Sequence, residues 1–239
     1  MSATPDAPTT PSARPTHCAT VERVVDVAPD TRVLHLRLPP ETRFRFTPGQ
    51  FVSCLLPVGS ADIVRAYTIA SHPEDLPAIE IVLNLVPNGQ GSHYLFGLGV
   101  GDTLRFTGPW GTFTLDQAPA AECVLIAEGT AIAPIRPMLC RALETGSGHA
   151  VRLHHAAARA DCLLYDAEFR AAATAHPQFT YEPLLGVDLF THIEQRYVAD
   201  DDDRTRHFYV CAVGAVVHRL RDLLRGAGYA RRAVQYEKW

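Results

Sequence analysis

Four consecutive residues, Arg65-Ala66-Tyr67-Thr68, place a cation, a flat ring and a hydroxyl on one short stretch of chain. In an extended backbone such a set can hold a phosphorylated planar cofactor, with Arg65 on phosphate, Tyr67 against one ring face and Thr68 toward a ring nitrogen. That is the chemistry of a flavin seat, although the same residues also suit an ordinary half-buried strand. Further along, Pro87-Asn88-Gly89-Gln90-Gly91-Ser92 ends one strand-like run and opens a short helical patch. Gly89, Gln90 and Gly91 let backbone amides approach a pyrophosphate, Ser92 adds a hydroxyl, and the helix start adds partial positive charge. Taken alone, the segment is equally a turn with an N-cap serine. The chain closes on Tyr236-Glu237-Lys238-Trp239, a carboxylate and a terminal aromatic.

These residues need elements to position them. Between residues 20 and 115 the pattern is of short strands and tight turns: 32–38, 51–56 after the Pro48-Gly49 turn, 65–70, 79–86 and 103–107, with one helical patch at 93–97. Such a run predicts a small antiparallel Greek-key β-barrel. Residues 117–121 form a plausible linker. From residue 122 the pattern changes to strands at 122–127, 151–155, 179–183, 207–211 and 233–236, alternating with helical stretches at 133–143, 163–173, 190–197 and 216–226. Pro134 sits where a first helical turn accepts it. Alternation of this kind predicts an α/β doubly wound parallel sheet whose ligand crevice lies beyond the carboxyl ends of its strands. The expected organisation is a disordered tail over 1–17, a barrel over 18–116 and an α/β domain over 121–239.

Composition sets limits on function. A chain of 239 residues, 47% hydrophobic and 20% charged, has room for two domains, and its net charge of -4 gives no reason to expect nucleic acid or an anionic membrane as partner. Residues 1–15 lack the basic start and apolar core of a secretory signal, and no stretch approaches the roughly 20 apolar residues of a membrane span, so a cytoplasmic protein is expected. The six cysteines are scattered without a C-x-x-C pair. No structural zinc or iron-sulfur cluster is expected here, and any such cluster must sit on a partner. His154, His155 and His72 lack ligand spacing and are expected to be surface or strand-end histidines, so no metal site is predicted. The acidic run at 200–203 is expected to be a solvated loop.

In order along the chain stand Pro48-Gly49-Gln50, Arg65-Ala66-Tyr67-Thr68, Gly89-Gln90-Gly91-Ser92, Gly108-Pro109-Trp110-Gly111-Thr112-Phe113, Gly129-Thr130-Ala131-Ile132-Ala133-Pro134, Tyr209-Val210-Cys211 and the terminal Tyr236 to Trp239. Over residues 21–239 this series resembles the flavin-binding oxidoreductases of the ferredoxin-NADP reductase type. The resemblance implies a barrel that holds FAD and a second domain that presents NAD(P)H to it. By that resemblance Arg65, with Ala66 beside it, neutralises the FAD phosphates, and Tyr67 flanks one face of the isoalloxazine. Ser92 and its neighbouring amides would hold the pyrophosphate, Thr130 would belong to the nucleotide loop, and Trp239 would cover the opposite ring face. Thr68, Cys211 and Glu237 resemble the hydroxyl, thiol and carboxylate near the flavin N5, where they would orient a nicotinamide and relay a proton. Without the resemblance, Cys211 is a small buried strand residue and Trp239 a hydrophobic plug at a domain seam. FAD rather than FMN is expected on the resemblance alone.

The chain departs from that pattern on one side. The first nucleotide loop, usually G-G-T-G-I-A-P, is here Glu128-Gly129-Thr130-Ala131-Ile132-Ala133-Pro134. Ala131 adds a β-carbon where a dinucleotide backbone should pass closely, and Glu128 adds a charge worth ~1 kcal/mol of repulsion against a pyrophosphate in water. The strand usually followed by glycine and proline runs Cys211-Ala212-Val213-Gly214, and a cation pair of many relatives is replaced by Asn84-Leu85. Arg159 is a candidate for a 2'-phosphate, or simply a solvated arginine. Two readings follow: an FAD-dependent NAD(P)H oxidoreductase that passes electrons to a separate ferredoxin, flavodoxin or monooxygenase component, or a flavoprotein of the same fold with an altered nucleotide site and a small organic substrate. A flavin-free interaction protein fits the intact Arg65 and Gly89 segments poorly.

Overall fold

The computed structural model describes residues 15–115, 117–199 and 201–239. The expected tail as far as residue 14, Asp116 at the end of the expected barrel and Asp200 at the head of the acidic run lie outside the described residues.

The first part of the chain forms six antiparallel strands: β1 (Thr16–Ala28), β2 (Thr31–Arg37), β3 (Phe51–Val58), β4 (Ala61–Thr68), β5 (Ala78–Asn84) and β6 (Thr103–Trp110). Their order is β4-β3-β6-β1-β2-β5, and Ile69 bridges Ile81 to bring the two edges together. Alternation does the folding here. In β3, Val52, Cys54 and Leu56 point into the core while Ser53 and Leu55 stand outside, and Leu34, Leu36 and Phe106 meet them from β2 and β6. Residues 16 and 17, expected in the tail, already belong to β1: Thr16 pairs with Thr107 and His17 with Phe106. The reason is apolar cover, since the His17 ring packs against Phe44 and Phe106. The helix α1 (Gln90–Phe96) follows the glycine segment and buries Leu95.

The second part alternates β7 (Cys123–Glu128), α2 (Ile132–Glu144), β8 (Val151–Ala157), α3 (Asp166–Ala175), β9 (Phe179–Leu185), α4 (Leu189–Glu194), β10 (His207–Ala212), α5 (Val216–Gly226) and β11 (Val234–Lys238). The sheet is parallel in the order β11-β10-β7-β8-β9. Residues 123–127 of β7 are wholly buried, as a strand covered on both faces requires. The chain winds outward from β7 to β9 and then returns to place β10 beside β7. That reversal makes the carboxyl ends of β7 and β10 the ligand crevice of the sheet.

The two parts are clamped by Arg136 of α2. Its Nη1 donates to the Ala70 carbonyl at 3.0 Å and to Glu80 Oε1 at 3.4 Å, its Nε donates to Glu168 at 2.9 Å, and its guanidinium lies 4.3 Å from the Tyr165 ring centre. Glu80, buried on β5, also accepts from the Tyr165 hydroxyl and faces His35 Nδ1 at 3.2 Å. A buried carboxylate is tolerated only with such company.

Candidate active site

A cavity of about 740 Å³ opens where β4, the loop before α1 and the end of β11 converge. Arg65, Ala66, Tyr67 and Thr68 form one wall, Gly89, Gln90, Gly91 and Ser92 the floor, and Glu237 and Trp239 the far side. The structure therefore gathers ten of the predicted site residues around one space of the size that holds an extended ligand. Tyr67 and Trp239, from opposite ends of the chain, line the same cavity.

Each wall has a local cause. Arg65 is exposed on β4, its side chain's only hydrogen bond among the described residues running from Nη1 to the Val64 carbonyl at 2.8 Å, so its charge is available to an anion. Its side chain crosses directly over Gly91, where a β-carbon would lie 3.0 Å from Arg65 Cγ and 3.2 Å from Leu56 Cδ1. A glycine there lets the cation cross without displacing either side chain. Ser92 is buried and closes the loop on itself, accepting from the Val86 amide at 3.0 Å and donating to the Gly89 carbonyl at 2.9 Å. In this geometry its hydroxyl shapes the loop, and a phosphate would have to win that hydrogen from Gly89. Tyr67 is half-buried, and burial pushes its phenol up to about 12, with a smaller push from Cys54 and a small opposing pull from Arg65. Thr68 is buried at the end of β4.

Across the cavity, burial raises the Glu237 carboxyl to about 7. Near neutrality this group is divided between acid and carboxylate, as a proton relay requires. Cys211 pairs with Glu237 in the parallel register of β10 and β11, yet it is fully buried and does not line the cavity. Burial first and the Glu237 charge second hold its thiol well above the ordinary range. Thr130 is also buried away from the cavity, its hydroxyl accepting from Asn84 Nδ2 at 3.2 Å.

The departures acquire a structure. The backbone amide of Val213, at the end of β10, donates to Glu128 Oε2, at the end of β7, at 3.2 Å. The two altered loops thus meet across the crevice, and an amide that faces ligand space is occupied by the protein's own carboxylate. Ala131 corrects the expectation of a β-carbon in the dinucleotide path: it is fully buried in the core formed with α2 and β7. Arg159 is engaged by Asp161 through two hydrogen bonds of 2.9 and 3.1 Å. Asn84 binds Thr31 as well as Thr130 and lines the cavity, joining barrel to nucleotide loop. Its only signal in the sequence was the loss of a cation. Phe51, Val82, Leu83 and Val213 also line the cavity, and as apolar residues they carried no chemical signal.

A flavin dinucleotide fits these residues on the structure's own terms: an unpaired cation over a bare glycine, a ring on each side, and mostly apolar strand residues between. Residues 18–115 match the oxidoreductase FAD-binding domain and residues 125–217 the oxidoreductase NAD-binding domain. Ferredoxin-NADP reductase B of Sorangium cellulosum is 30% identical over 227 residues, which cover 89% of this chain and 93% of that protein. The chain belongs to the ferredoxin-NADP reductase family. It is a flavin-dependent oxidoreductase with an FAD-binding barrel and an NAD-binding parallel sheet. The reductase component of phenol 2-monooxygenase from a Pseudomonas species is 31% identical over 167 residues, 69% of this chain but 46% of that protein. Among solved structures, a cytochrome P450 reductase of Amycolatopsis superposes with a TM-score of 0.81 at 27% identity, covering 95% of this chain and 71% of that one. A ferredoxin NADP+ reductase from Neisseria gonorrhoeae with bound FAD and NADP has the same fold, with a TM-score of 0.80 at 19% identity and 93% and 98% coverage. No helix among the described residues is long and apolar enough to cross a membrane.

Proposed function

We propose that this reductase takes hydride from NAD(P)H and hands electrons singly to a separate acceptor, either a ferredoxin, flavodoxin or monooxygenase component or a small molecule. FAD supplies the exchange between hydride and single electrons. The relatives support the reading: one is named a ferredoxin-NADP reductase over nearly its whole length, and another is the reductase component of a monooxygenase, of which this chain spans less than half. The observation that carries it is the shared cavity, in which the β4 cation and aromatic face the carboxylate and aromatic of the chain end.

In this proposal the barrel spans residues 18–116 and the nucleotide domain 121–239. Arg65 neutralises phosphate, Tyr67 and Trp239 cover the two faces of the flavin ring, and the amides of Gly89, Gln90 and Gly91 hold the pyrophosphate within the loop that Ser92 closes. Thr68 orients the ring edge. Glu237 moves the proton, and Cys211, one strand inward, acts by packing behind it. Thr130, tethered by Asn84, sets the nucleotide loop. The compartment that fits an NAD(P)H-dependent donor of this kind is the cytoplasm.

The test is anaerobic mixing of the FAD-loaded protein with NADH and with NADPH, reading loss of the oxidised flavin absorbance. Bleaching within seconds by either nucleotide is expected, and flavin that stays oxidised at millimolar nucleotide overturns the proposal. A second reading, with the same flavin seat but an altered nucleotide site and a small organic substrate, rests on the bond from the Val213 amide to Glu128. It expects no heat of nucleotide binding in calorimetry.

A further inference from the structure

The sequence spacing of His154, His155 and His72 suggested no ligand set, and the fold does not bring those three together. It brings together a different one. His154 of β8 stands directly opposite Glu182 of β9 in the parallel register, and α4 lays His192 over both. His154 Nδ1 lies 3.2 Å from Glu182 Oε2 and 3.2 Å from His192 Nε2, and His192 Nε2 lies 3.5 Å from Glu182 Oε1. Bonds of 2.0–2.1 Å to a tetrahedral cation put its ligand atoms about 3.3–3.4 Å apart. The three donors already have that spacing.

From this geometry we infer a binding site for a divalent cation of the zinc class, built from His154, Glu182 and His192 on the outer edge of the parallel sheet.

A count of donors and acceptors supports the cage. Each neutral imidazole carries one proton, and the tautomer with the His154 proton on Nε2 leaves its Nδ1 lone pair facing His192 Nε2 and the Glu182 carboxylate. With the carboxylate added, lone pairs converge in excess of protons, a surplus that a cation satisfies. The other nitrogen of His154, Nε2, lies 2.7 Å from the Tyr197 hydroxyl, so donation from Nε2 leaves Nδ1 free for metal and fixes the ring. His154 is 1% exposed and held by the strand, and α4 is anchored by buried Leu189 and Ile193 on the flank that carries His192. The donors therefore sit on rigid elements. Glu182 is partly open to solvent, which gives an entry path and a place for water as fourth ligand. Arg196, which faces Glu182 and His192, opposes a cation, and the bound metal must outweigh it. None of the three ligands lines the flavin cavity, so the cation would stitch β8, β9 and α4 together rather than take part in hydride transfer.

The test uses the full FAD-loaded chain stripped with chelator and dialysed against zinc chloride, with metal and protein measured together. One zinc per chain is expected, with a higher unfolding midpoint. His192→Ala and Glu182→Gln, both partly exposed and therefore expected to fold, should each weaken zinc binding by about tenfold or more and abolish the thermal shift. Cobalt should give tetrahedral ligand-field bands to the red of the flavin spectrum in the unsubstituted protein and not in His192→Ala. Absence of stoichiometric zinc, or zinc retained equally by both variants, overturns the inference, since the metal would then lie elsewhere, for example on His72 and Glu144.

Discussion

The two walls of the cleft are built differently. On the barrel side the cation is left open: Arg65 has no carboxylate partner among the described residues, and Gly91 puts no β-carbon beneath it. On the nucleotide side the polar groups of the loops are already spent: the Val213 amide on Glu128, the Thr130 hydroxyl on Asn84, Arg159 on Asp161. An open cation binds an anion without first breaking anything. A group committed to its own chain must exchange one bond for another, and the net gain shrinks. The contrast fits a flavin held permanently on one wall and a nucleotide that visits the other.

That comparison holds only while the walls are kept in register, and Arg136 is one of the polar ties that keep them so. Arg136→Ala removes its bonds to Ala70, Glu80 and Glu168 and leaves Glu80 buried without its guanidinium, a change of about 3–5 kcal/mol in unfolding free energy. A denaturant midpoint unchanged by the substitution would show that the clamp does little. Next in size is the flavin wall itself. Arg65→Ala removes charge-assisted bonds to phosphate worth about 2 kcal/mol, so FAD should bind roughly 30-fold more weakly on the same scale. Equilibrium dialysis of FAD reads this directly. Affinity for NAD(P)H in flavin-reloaded protein should hardly move, and equal losses of both ligands would erase the distinction between the walls.

How legible was this in the sequence? The barrel strands, the alternating second half and the flavin wall were readable because they rest on local patterns: period-two alternation, apolar runs, and a cation, ring and glycine within a few residues. β1 was not, since its first residues look like tail and become strand only when Phe44 and Phe106 arrive from elsewhere to cover His17. Glu128, Val213, Asn84 and Thr130 were visible as departures, but their pairing was not, because each bond joins residues from separate strands. His154, Glu182 and His192 show the same limit, since sheet register and a helix crossing assemble them. Ala131 misled for the opposite reason: its neighbours suggested a ligand path, whereas the turn directs it into the core.

A smaller effect sharpens the nucleotide side. Glu128→Gln removes one negative charge near the expected pyrophosphate and weakens the hold on the Val213 amide, so NAD(P)H should bind more tightly by about 1 kcal/mol, or about fivefold. Titration calorimetry on the FAD-loaded protein decides it. If affinity falls instead, the carboxylate orders the loop for the nucleotide rather than guarding it, and the bond from Val213 becomes part of the site.

The smallest effect concerns Glu237, on the far side of the cavity. Glu237 titrates at about 7 because burial disfavours its charge, whereas the unfolded chain would give the ordinary carboxyl value near 4.5. Between those values the folded protein holds more protons than the unfolded one, so this group's contribution to stability is greatest at low pH and declines as pH rises through the interval. If the protonated acid is the form that assists hydride transfer, the rate of flavin reduction should fall about twofold between about pH 6 and about pH 7, following its protonated fraction. Glu237→Gln cannot lose a proton, and should flatten both the rate profile and the stability profile over that range. A variant that keeps the original rate profile while losing the stability slope would remove Glu237 from the proton path and leave it as packing beside Cys211.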